Sequence, residues 1–192
     1  MSTLSGFNGS ETELVPGVLR GYRAWRVETT HRRLISFASP CMWQPGANKA
    51  FCQRDIGLSA CWSSRNSAPN PECSCGYYGH YCPSVSCDYL AVEWHWRPNI
   101  FLMEGVYGRL FPKVWGSITV HGRVVLGEKG FRAEYATVEA IVAHPSLWSL
   151  IREHYEVSLF ATADELIEAF PPQDMSHLLG RDRPKLLWGT DQ

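Results

Sequence analysis

The sequence predicts an α+β fold of mainly antiparallel strands, arranged as a small curled or barrel-like sheet with two short C-terminal helices and a zinc knuckle. Three observations predict it. The two faces of an extended segment differ in residues 114–121 and again in residues 131–135, a Cys-x-Cys-Gly sequence lies in the middle of the chain, and helical spacing begins only after Pro145. With 192 residues, 45% of them hydrophobic, the chain can bury a core without disulfides.

Three parts are expected along the chain. Residues 1–16 are polar, with little periodicity, and are interpreted as a flexible leader. Residues 17–170 are predicted to form a single zinc-stabilised, β-rich domain. Residues 171–192 contain three prolines and mixed charges, which favours an irregular C-terminal tail.

The first strands are expected at residues 18–27, where aromatic and β-branched residues alternate with arginine, and at residues 32–37, as the hairpin partner. Residues 38–83 are rich in Pro, Gly, Ser, Asn and Cys, which predicts long irregular connections that a metal ion could hold. Residues 89–96 are compatible with either a strand or a helix.

A long hairpin is the clearest element. In residues 114–121, Val, Gly, Ile and Val occupy one face of an extended segment, and Trp, Ser, Thr and His occupy the other. Residues 127–130 supply a Gly-containing turn, after which Phe131, Ala133 and Tyr135 resume the alternation. The pattern therefore predicts two antiparallel strands joined by this turn.

Two short helices are expected after the hairpin. Leu147, Leu150, Ile151 and Tyr155 recur at helical spacing. Residues 162 and 165, Thr and Glu, have the spacing of a capping box, which predicts a second helix that continues through residue 170.

The compartment is predicted to be cytoplasmic. The first seventeen residues have neither a basic nor an apolar region of a secretory signal, and no apolar run approaches the roughly 18 residues of a membrane-spanning helix. In a reducing compartment, seven cysteines indicate metal binding or buried thiols rather than disulfides. The net charge of −1 excludes a globally basic chain that would bind nucleic acid through its overall field.

The Cys-x-Cys-Gly sequence supplies the candidate metal ligands. Cys73 and Cys75 are followed by Gly76, which can adopt a positive φ and turn backbone amides towards the sulfurs. Thiolates and imidazole suit Zn²⁺, which takes four ligands in a tetrahedron. We expect Cys52 as the third ligand and His121 as the fourth, which would connect the irregular middle of the chain to the hairpin.

Other ligands remain open, because zinc sites usually contain two C-x₂₋₄-C pairs and this chain has one C-x-C. Substitutes for members of the quartet are Cys82, Cys87 and His80. The cysteines outside the quartet are otherwise expected to pack as small apolar side chains. They are Cys41, Cys61, Cys82 and Cys87.

Several stretches together resemble an uncharacterised family of small proteins from actinobacteria and their phages. The resemblance is carried by residues 16–25, 43–46, 50, 52, 68–78, 115–116, 121 and 130–136. It implies that Cys52, Cys73, Cys75 and His121 are the metal ligands, and it implies no activity. The additional cysteines and the aromatic segment 87–101 depart from the family pattern.

A basic, aromatic stretch is a candidate surface for nucleic acid or another partner. Between residues 20 and 54 there are seven basic residues and one acidic residue. Arginines interleaved with aromatic rings can contact phosphates and stack on bases. The alternative is an amphipathic strand whose aromatic side chains enter the core. The residues concerned are Arg20, Tyr22, Arg23, Trp25 and Arg26.

No familiar catalytic sequence is present. The chain has no G-x-S-x-G, phosphate-binding loop, G-x-G-x-x-G or H-E-x-x-H sequence. Four protein ligands would also close the zinc shell, as in structural sites. The sequence therefore favours a non-catalytic, zinc-containing binding or regulatory protein, of phage origin, that acts on a host protein or nucleic acid. The alternative is a zinc-dependent hydrolase with an open metal position.

Overall fold

A computed structural model describes residues 18–28, 30–36, 41–51, 68–69, 75–83, 111–127 and 129–175. Most of these residues lie in strands, and two short helices follow the longest pair of strands. The prediction of an α+β fold is thereby confirmed. The strands are β1 (Leu19–Glu28), β2 (Arg33–Ser36), β3 (Ala47–Lys49), β4 (Tyr77–His80), β5 (Lys113–Leu126), β6 (Gly130–Val142) and β7 (Ser158–Phe160). The helices are α1 (Trp148–Arg152) and α2 (Ala163–Ala169).

The predicted hairpin is confirmed as β5 and β6, which pair antiparallel from Trp115↔Val142 to Leu126↔Phe131. The register shifts between Ser117 and Ile118 and again between His121 and Val124. The strand β1 lies along the other edge of β5, and β2 pairs with β1 as the N-terminal hairpin partner. Among the strands that the structure describes, all pairings are antiparallel except that of β6 with β7, so the sheet is mixed.

The second edge of β6 carries three short strands in turn. Residues 130–133 pair with β4, residues 135–137 with β3, and residues 140–142 with β7. The strand β4 also pairs with β1 at Tyr22↔His80. The strands β1, β5, β6 and β4 therefore form a closed cycle of paired neighbours. Both β3 and β4 lie within residues 38–83, so two short strands interrupt the segment in which long irregular connections were predicted.

The seam where β4 meets β1 and β6 is packed around the ring of Phe131. This side chain is fully buried, and it is flanked by Gly21 of β1 and Gly79 of β4. A Cβ atom at residue 21 would lie 2.5 Å from the ring, and one at residue 79 would lie 2.6 Å from it. Carbon atoms that are not bonded to each other would overlap at these distances. Only glycine, which has no Cβ atom, therefore fits at both positions.

Two clusters of buried side chains lie on opposite faces of the sheet. The larger one includes Trp25, Trp43, Ile118 and Phe131. The smaller one, which includes Tyr22, Trp115 and Leu166, lies beneath α2. Consequently, the face of β5 that carries Trp115 is also buried near its start, although the alternation alone shows only that the two faces differ.

The C-terminal elements agree with the sequence prediction. A 3₁₀ turn (Pro145–Leu147) leads into α1. In α2, the Thr162 hydroxyl accepts a hydrogen bond from the Glu165 amide, and the Glu165 carboxylate accepts one from the Thr162 amide. The predicted capping box is therefore confirmed. None of the described helices is both long and apolar enough to cross a membrane.

The predictions of a leader at residues 1–16 and of a strand or helix at residues 89–96 lie outside the described residues, as does the tail beyond residue 175.

Candidate metal centre

Cys75 lies at the turn that leads into β4. It is followed by Gly76, whose φ of +128° is unfavourable for any residue with a side chain. The predicted positive φ is therefore confirmed. A Cβ atom at residue 76 would lie 3.2 Å from the Cβ of Arg132 and 3.3 Å from the carbonyl oxygen of Ala133. The turn is thus packed closely against β6, and Cys75 is half-buried.

His121 lies on β5, at the point where the regular register with β6 ends. It pairs with Tyr135, and the two rings stack with centroids 4.9 Å apart and an interplanar angle of 2°. Stacking occupies one face of the imidazole and leaves its two nitrogens, which lie in the ring plane, open to other groups. The side chain is exposed, and none of the hydrogen bonds among the described residues involves it. Its nitrogens are therefore available to a metal ion.

The end of β3 reaches the same part of β6. Lys49 pairs with Tyr135, and the Ala50 amide donates to the Glu134 carbonyl oxygen at 2.7 Å. Cys52 is two residues further along the chain. Residues 133–135 of β6 therefore have the Cys75 turn and the end of β3 on one edge, and His121 on the other.

The elements that carry two predicted ligands, Cys75 and His121, lie along opposite edges of β6. The other two, Cys52 and Cys73, lie outside the described residues, and so the quartet stays a prediction. Among the residues described, no group of three or more His, Cys, Asp or Glu side chains is placed to hold a metal. The available donor types, a thiol and an imidazole, are the types that Zn²⁺ prefers.

The remaining cysteines and the substitute histidine differ in exposure. Cys41 is exposed, so the expectation that it packs as a buried apolar side chain is wrong, and Cys82 is half-buried. Cys61 and Cys87 lie outside the described residues. His80 of β4 is largely enclosed, and burial, followed by the charge of Arg23, holds its pKa below the ordinary value despite a hydrogen bond to the Lys129 backbone.

Arg132 is a residue near the candidate centre that sequence reasoning missed. It lies on β6 with only 4% of its surface exposed, and its Nη1 donates to the Cys75 carbonyl oxygen at 3.1 Å. A guanidinium is rarely buried to this extent. Its sequence signal is an arginine between Phe131 and Ala133, in a strand where apolar side chains dominate.

The predicted nucleic-acid or partner surface on β1 is wrong in its aromatic part. Tyr22 and Trp25 are fully buried and cannot stack on bases. The Tyr22 hydroxyl donates to the Phe170 carbonyl oxygen at 2.6 Å, and burial raises the pKa of this phenol far above its ordinary value. The ring of Trp25 packs edge-on against Trp43, with centroids 5.5 Å apart. Both faces of β1 are covered, one by the main core and one by α2.

The arginines of β1 are half-buried, and two of them bind other parts of the chain. Arg20 forms an ion pair with Glu139, with Nε and Oε2 2.9 Å apart. Arg23 donates to the Tyr78 carbonyl oxygen and to the Ser36 hydroxyl, and its guanidinium lies 5.1 Å from the centre of a Trp43 ring. These two side chains therefore stabilise the fold, and Arg26 is half-buried as well.

Comparison of the chain with protein-family models, with curated proteins and with solved structures gives no match in any of the three.

Proposed function

We propose that this chain is a non-catalytic, zinc-containing binding protein that regulates a host protein in the cytoplasm. The zinc ligands in this proposal are Cys52, Cys73, Cys75 and His121. The proposal includes membership of the actinobacterial and actinophage family described above. It also takes the closed cycle of β1, β5, β6 and β4 as a small barrel-like sheet, to which the metal attaches the middle of the chain.

One observation carries the metal part of the proposal. The Cys75 turn, the end of β3 before Cys52, and His121 all lie beside residues 133–135 of β6. These elements come from three separate segments of the chain, and each presents or leads to a thiol or an imidazole. A zinc ion would join them, and it would supply there the cross-link that a short strand with few backbone hydrogen bonds lacks.

The exposed side chains favour a protein partner over nucleic acid. Phe51, which precedes Cys52 directly, is 73% exposed, and Met42 is 49% exposed. Exposed aromatic side chains commonly supply the binding energy at protein interfaces. By contrast, Tyr22 and Trp25 are buried, so β1 cannot provide stacking platforms for bases. A metal at Cys52 would hold the backbone beside Phe51 and present its ring.

The metal is tested by measuring the zinc content of the untagged full-length chain, purified under reducing conditions. We expect one zinc per wild-type chain and a clear loss of zinc in Cys75→Ser and His121→Ala. Cys41→Ser is the matched control, because Cys41 is an exposed thiol outside the quartet, and it should retain zinc fully. A wild-type chain without zinc, or a Cys41 variant that loses as much zinc as the Cys75 variant, would contradict the proposal.

X-ray absorption at the zinc edge separates the proposal from a zinc-dependent hydrolase. We expect a shell of sulfur and nitrogen from four protein ligands, as in a structural site. An oxygen ligand that exchanges with water would instead support the hydrolase with an open metal position.

The class of partner is tested by titrating single-stranded DNA at increasing salt, because phosphate contacts make affinity fall steeply with salt. We expect no binding tighter than about 100 μM at physiological salt, the weak end of the non-specific range. Tight, salt-dependent binding would overturn the preference for a protein. In a host-protein binding assay, Phe51→Ala should weaken the interaction more than Met42→Ala.

A further inference from the structure

We infer that a groove between α1, β7 and α2 binds a basic, apolar peptide segment of a partner protein. This C-terminal groove has a volume of about 590 Å³. It is a separate surface from the exposed side chains of Phe51 and Met42, and the inference does not depend on the metal. The groove is lined by Trp148, Leu159, Phe160, Glu165, Glu168 and Ala169.

One part of the lining is apolar. Trp148 and Leu159 pack at the border of the larger buried cluster, and Phe160 packs at the border of the smaller one. All three side chains are half-buried, so each keeps surface that a ligand can contact. The Trp148 indole nitrogen donates to the Ala143 carbonyl oxygen at 3.0 Å, which holds the ring in place. A ring that is already fixed loses little side-chain entropy when an apolar group binds to it.

The other part of the lining, on α2, is acidic. Residues 143–175 contain six acidic residues and one basic residue, which gives this segment a formal charge of −5. Asp164, Glu165 and Glu168 form no ion pair within the part of the chain that the structure describes. Their charge therefore attracts a cationic segment, and it repels the phosphates of nucleic acids and of anionic lipids.

The aromatic ring of the groove already contacts a guanidinium group of this chain. The Cζ atom of Arg152 lies 5.3 Å from the centre of the Trp148 ring. Arginine is the cation that most often stacks on tryptophan in this way. An arginine that is followed by apolar residues would find both a ring and unpaired carboxylates in this groove.

The exposure of the lining favours a peptide over a small molecule. None of the six lining residues is buried, and Glu165, Glu168 and Ala169 are exposed. Sites for small molecules usually enclose most of the ligand surface. A peptide also makes contacts beyond the groove itself, where the neighbouring carboxylate of Asp164 adds to the attraction.

The test begins with the selection of peptides from a random-sequence display library on the immobilised full-length chain. We expect the selected peptides to combine arginine or lysine with apolar residues. Their affinity should fall by about three- to tenfold in Glu168→Lys, which replaces an attraction between exposed charges with a repulsion. Ala169→Gln should weaken binding by a similar factor, because its longer side chain fills part of the groove.

Glu156→Lys is the matched control. Glu156 is an exposed glutamate outside the groove lining, and its substitution changes the net charge of the chain by the same amount. We expect the affinity of the selected peptides to change by less than about twofold in this variant. Thermal denaturation checks that each variant is folded. If Glu168→Lys is unfolded, Glu168→Gln and Glu156→Gln provide the same comparison with a smaller expected effect.

Four results would overturn the inference. Selected peptides without basic residues would contradict the role of the carboxylates, and equal losses of affinity in Glu168→Lys and Glu156→Lys would contradict the location. Competition by a synthetic peptide of residues 176–192, which also contains arginines and apolar residues, would assign the groove to this chain's own C-terminal segment. Dimerisation of the wild type that is lost in Glu168→Lys would assign it to a second copy of the chain.

Discussion

The two edges of β6 are built in different ways. One edge is occupied along most of its length by β5, a strand of 14 residues that precedes it through a short turn. The other edge is occupied by β4, β3 and β7, which have three or four residues each and come from widely separated parts of the chain. The first edge depends on neighbouring sequence, and the second depends on contacts between distant residues.

This difference shows where side-chain contacts must stabilise the sheet, because the backbone hydrogen bonds there are few. A hairpin closes a short loop, so forming it costs little chain entropy. Each short strand at the second edge adds few hydrogen bonds and closes a long loop. Packing by Trp43 and Tyr155, and the proposed zinc site, all act at or near this second edge.

Loss of Trp43 should give the largest effect, because its fully buried side chain packs between Trp25 and Tyr77. We expect Trp43→Ala to lower the free energy of unfolding by about 3–5 kcal/mol, the usual cost of emptying a buried aromatic site. Urea denaturation measures it. Met42→Ala, at the exposed neighbouring residue, should change the stability by no more than about 0.5 kcal/mol. Similar losses of stability in both variants would contradict the conclusion that the buried side chain of Trp43, and not the exposed side chain of Met42, stabilises this edge.

Gly116 tests the other edge. A Cβ atom at residue 116 of β5 would overlap the Ala140 carbonyl oxygen, which belongs to the backbone of β6 and cannot rotate away. We expect Gly116→Ala to cost about 3 kcal/mol, at the upper end of ordinary overpacking effects. Thr119→Val, a change of similar size on the same strand, should cost no more than about 0.5 kcal/mol. A stable Gly116 variant would show that this hairpin tolerates a shift in register.

Tyr155 connects two segments near the second edge. Its hydroxyl donates to the Trp43 carbonyl oxygen at 2.7 Å and accepts from the Leu34 amide at 2.9 Å. We expect Tyr155→Phe to cost about 2 kcal/mol, because the change leaves two buried backbone groups unpaired. Denaturation of Tyr135→Phe provides the control, since no hydrogen bond of the Tyr135 hydroxyl occurs within the described residues. An equal loss of stability in the two variants would contradict a stabilising role for the hydrogen bonds of the Tyr155 hydroxyl.

The same contrast explains how much the sequence could predict. The hairpin of β5 and β6 was predictable because alternation over many residues records which side chains face the core. The capping box of Thr162 and Glu165 was predictable because all its atoms lie within one helical turn. By contrast, β3, β4 and β7 are too short for a periodic pattern, and their pairing is set by distant residues.

The residue types of the candidate ligands could be predicted from the sequence, but the side chains that surround them could not. Cys75 and His121 can be selected by residue type, but the burial of Arg132 depends on how β4 packs on β6. The burial of Tyr22 likewise depends on α2, more than 140 positions later in the chain. Alternation in β1 could not show that both of its faces would be covered.

The cap of α2 offers a smaller test at the end of the second edge, next to β7. Thr162→Ala removes the hydroxyl that accepts from the Glu165 amide. We expect a loss of about 1 kcal/mol, typical of an N-cap change. Ser158→Ala, at an exposed residue of β7, should have a smaller effect, and thermal denaturation of both variants measures the difference. A Thr162 variant as stable as the wild type would mean that packing on Tyr22 and Trp115 alone holds the helix.

The smallest expected effect concerns pH. Burial, and then the charge of Arg23, lower the pKa of His80 in the folded protein below its ordinary value of 6.5. As the pH falls through 6.5, His80 therefore binds a proton more readily in the unfolded chain than in the folded chain. Stability should therefore fall as the pH decreases from about 7 to 5. His80→Gln should flatten this dependence, whereas His144→Gln, at an exposed residue, should not. Urea midpoints across this pH range provide the measurement, and an unchanged slope in His80→Gln would contradict it.

The packing of Gly21 and Gly79 on Phe131 has a consequence for how this chain can vary. Alanine at either glycine should be tolerated only where the aromatic ring has already been replaced by a smaller side chain. Conversely, shrinking that ring alone should open a void that a new methyl group could fill. The three sites are therefore expected to show epistasis, so that the order in which substitutions arise decides which of them survive.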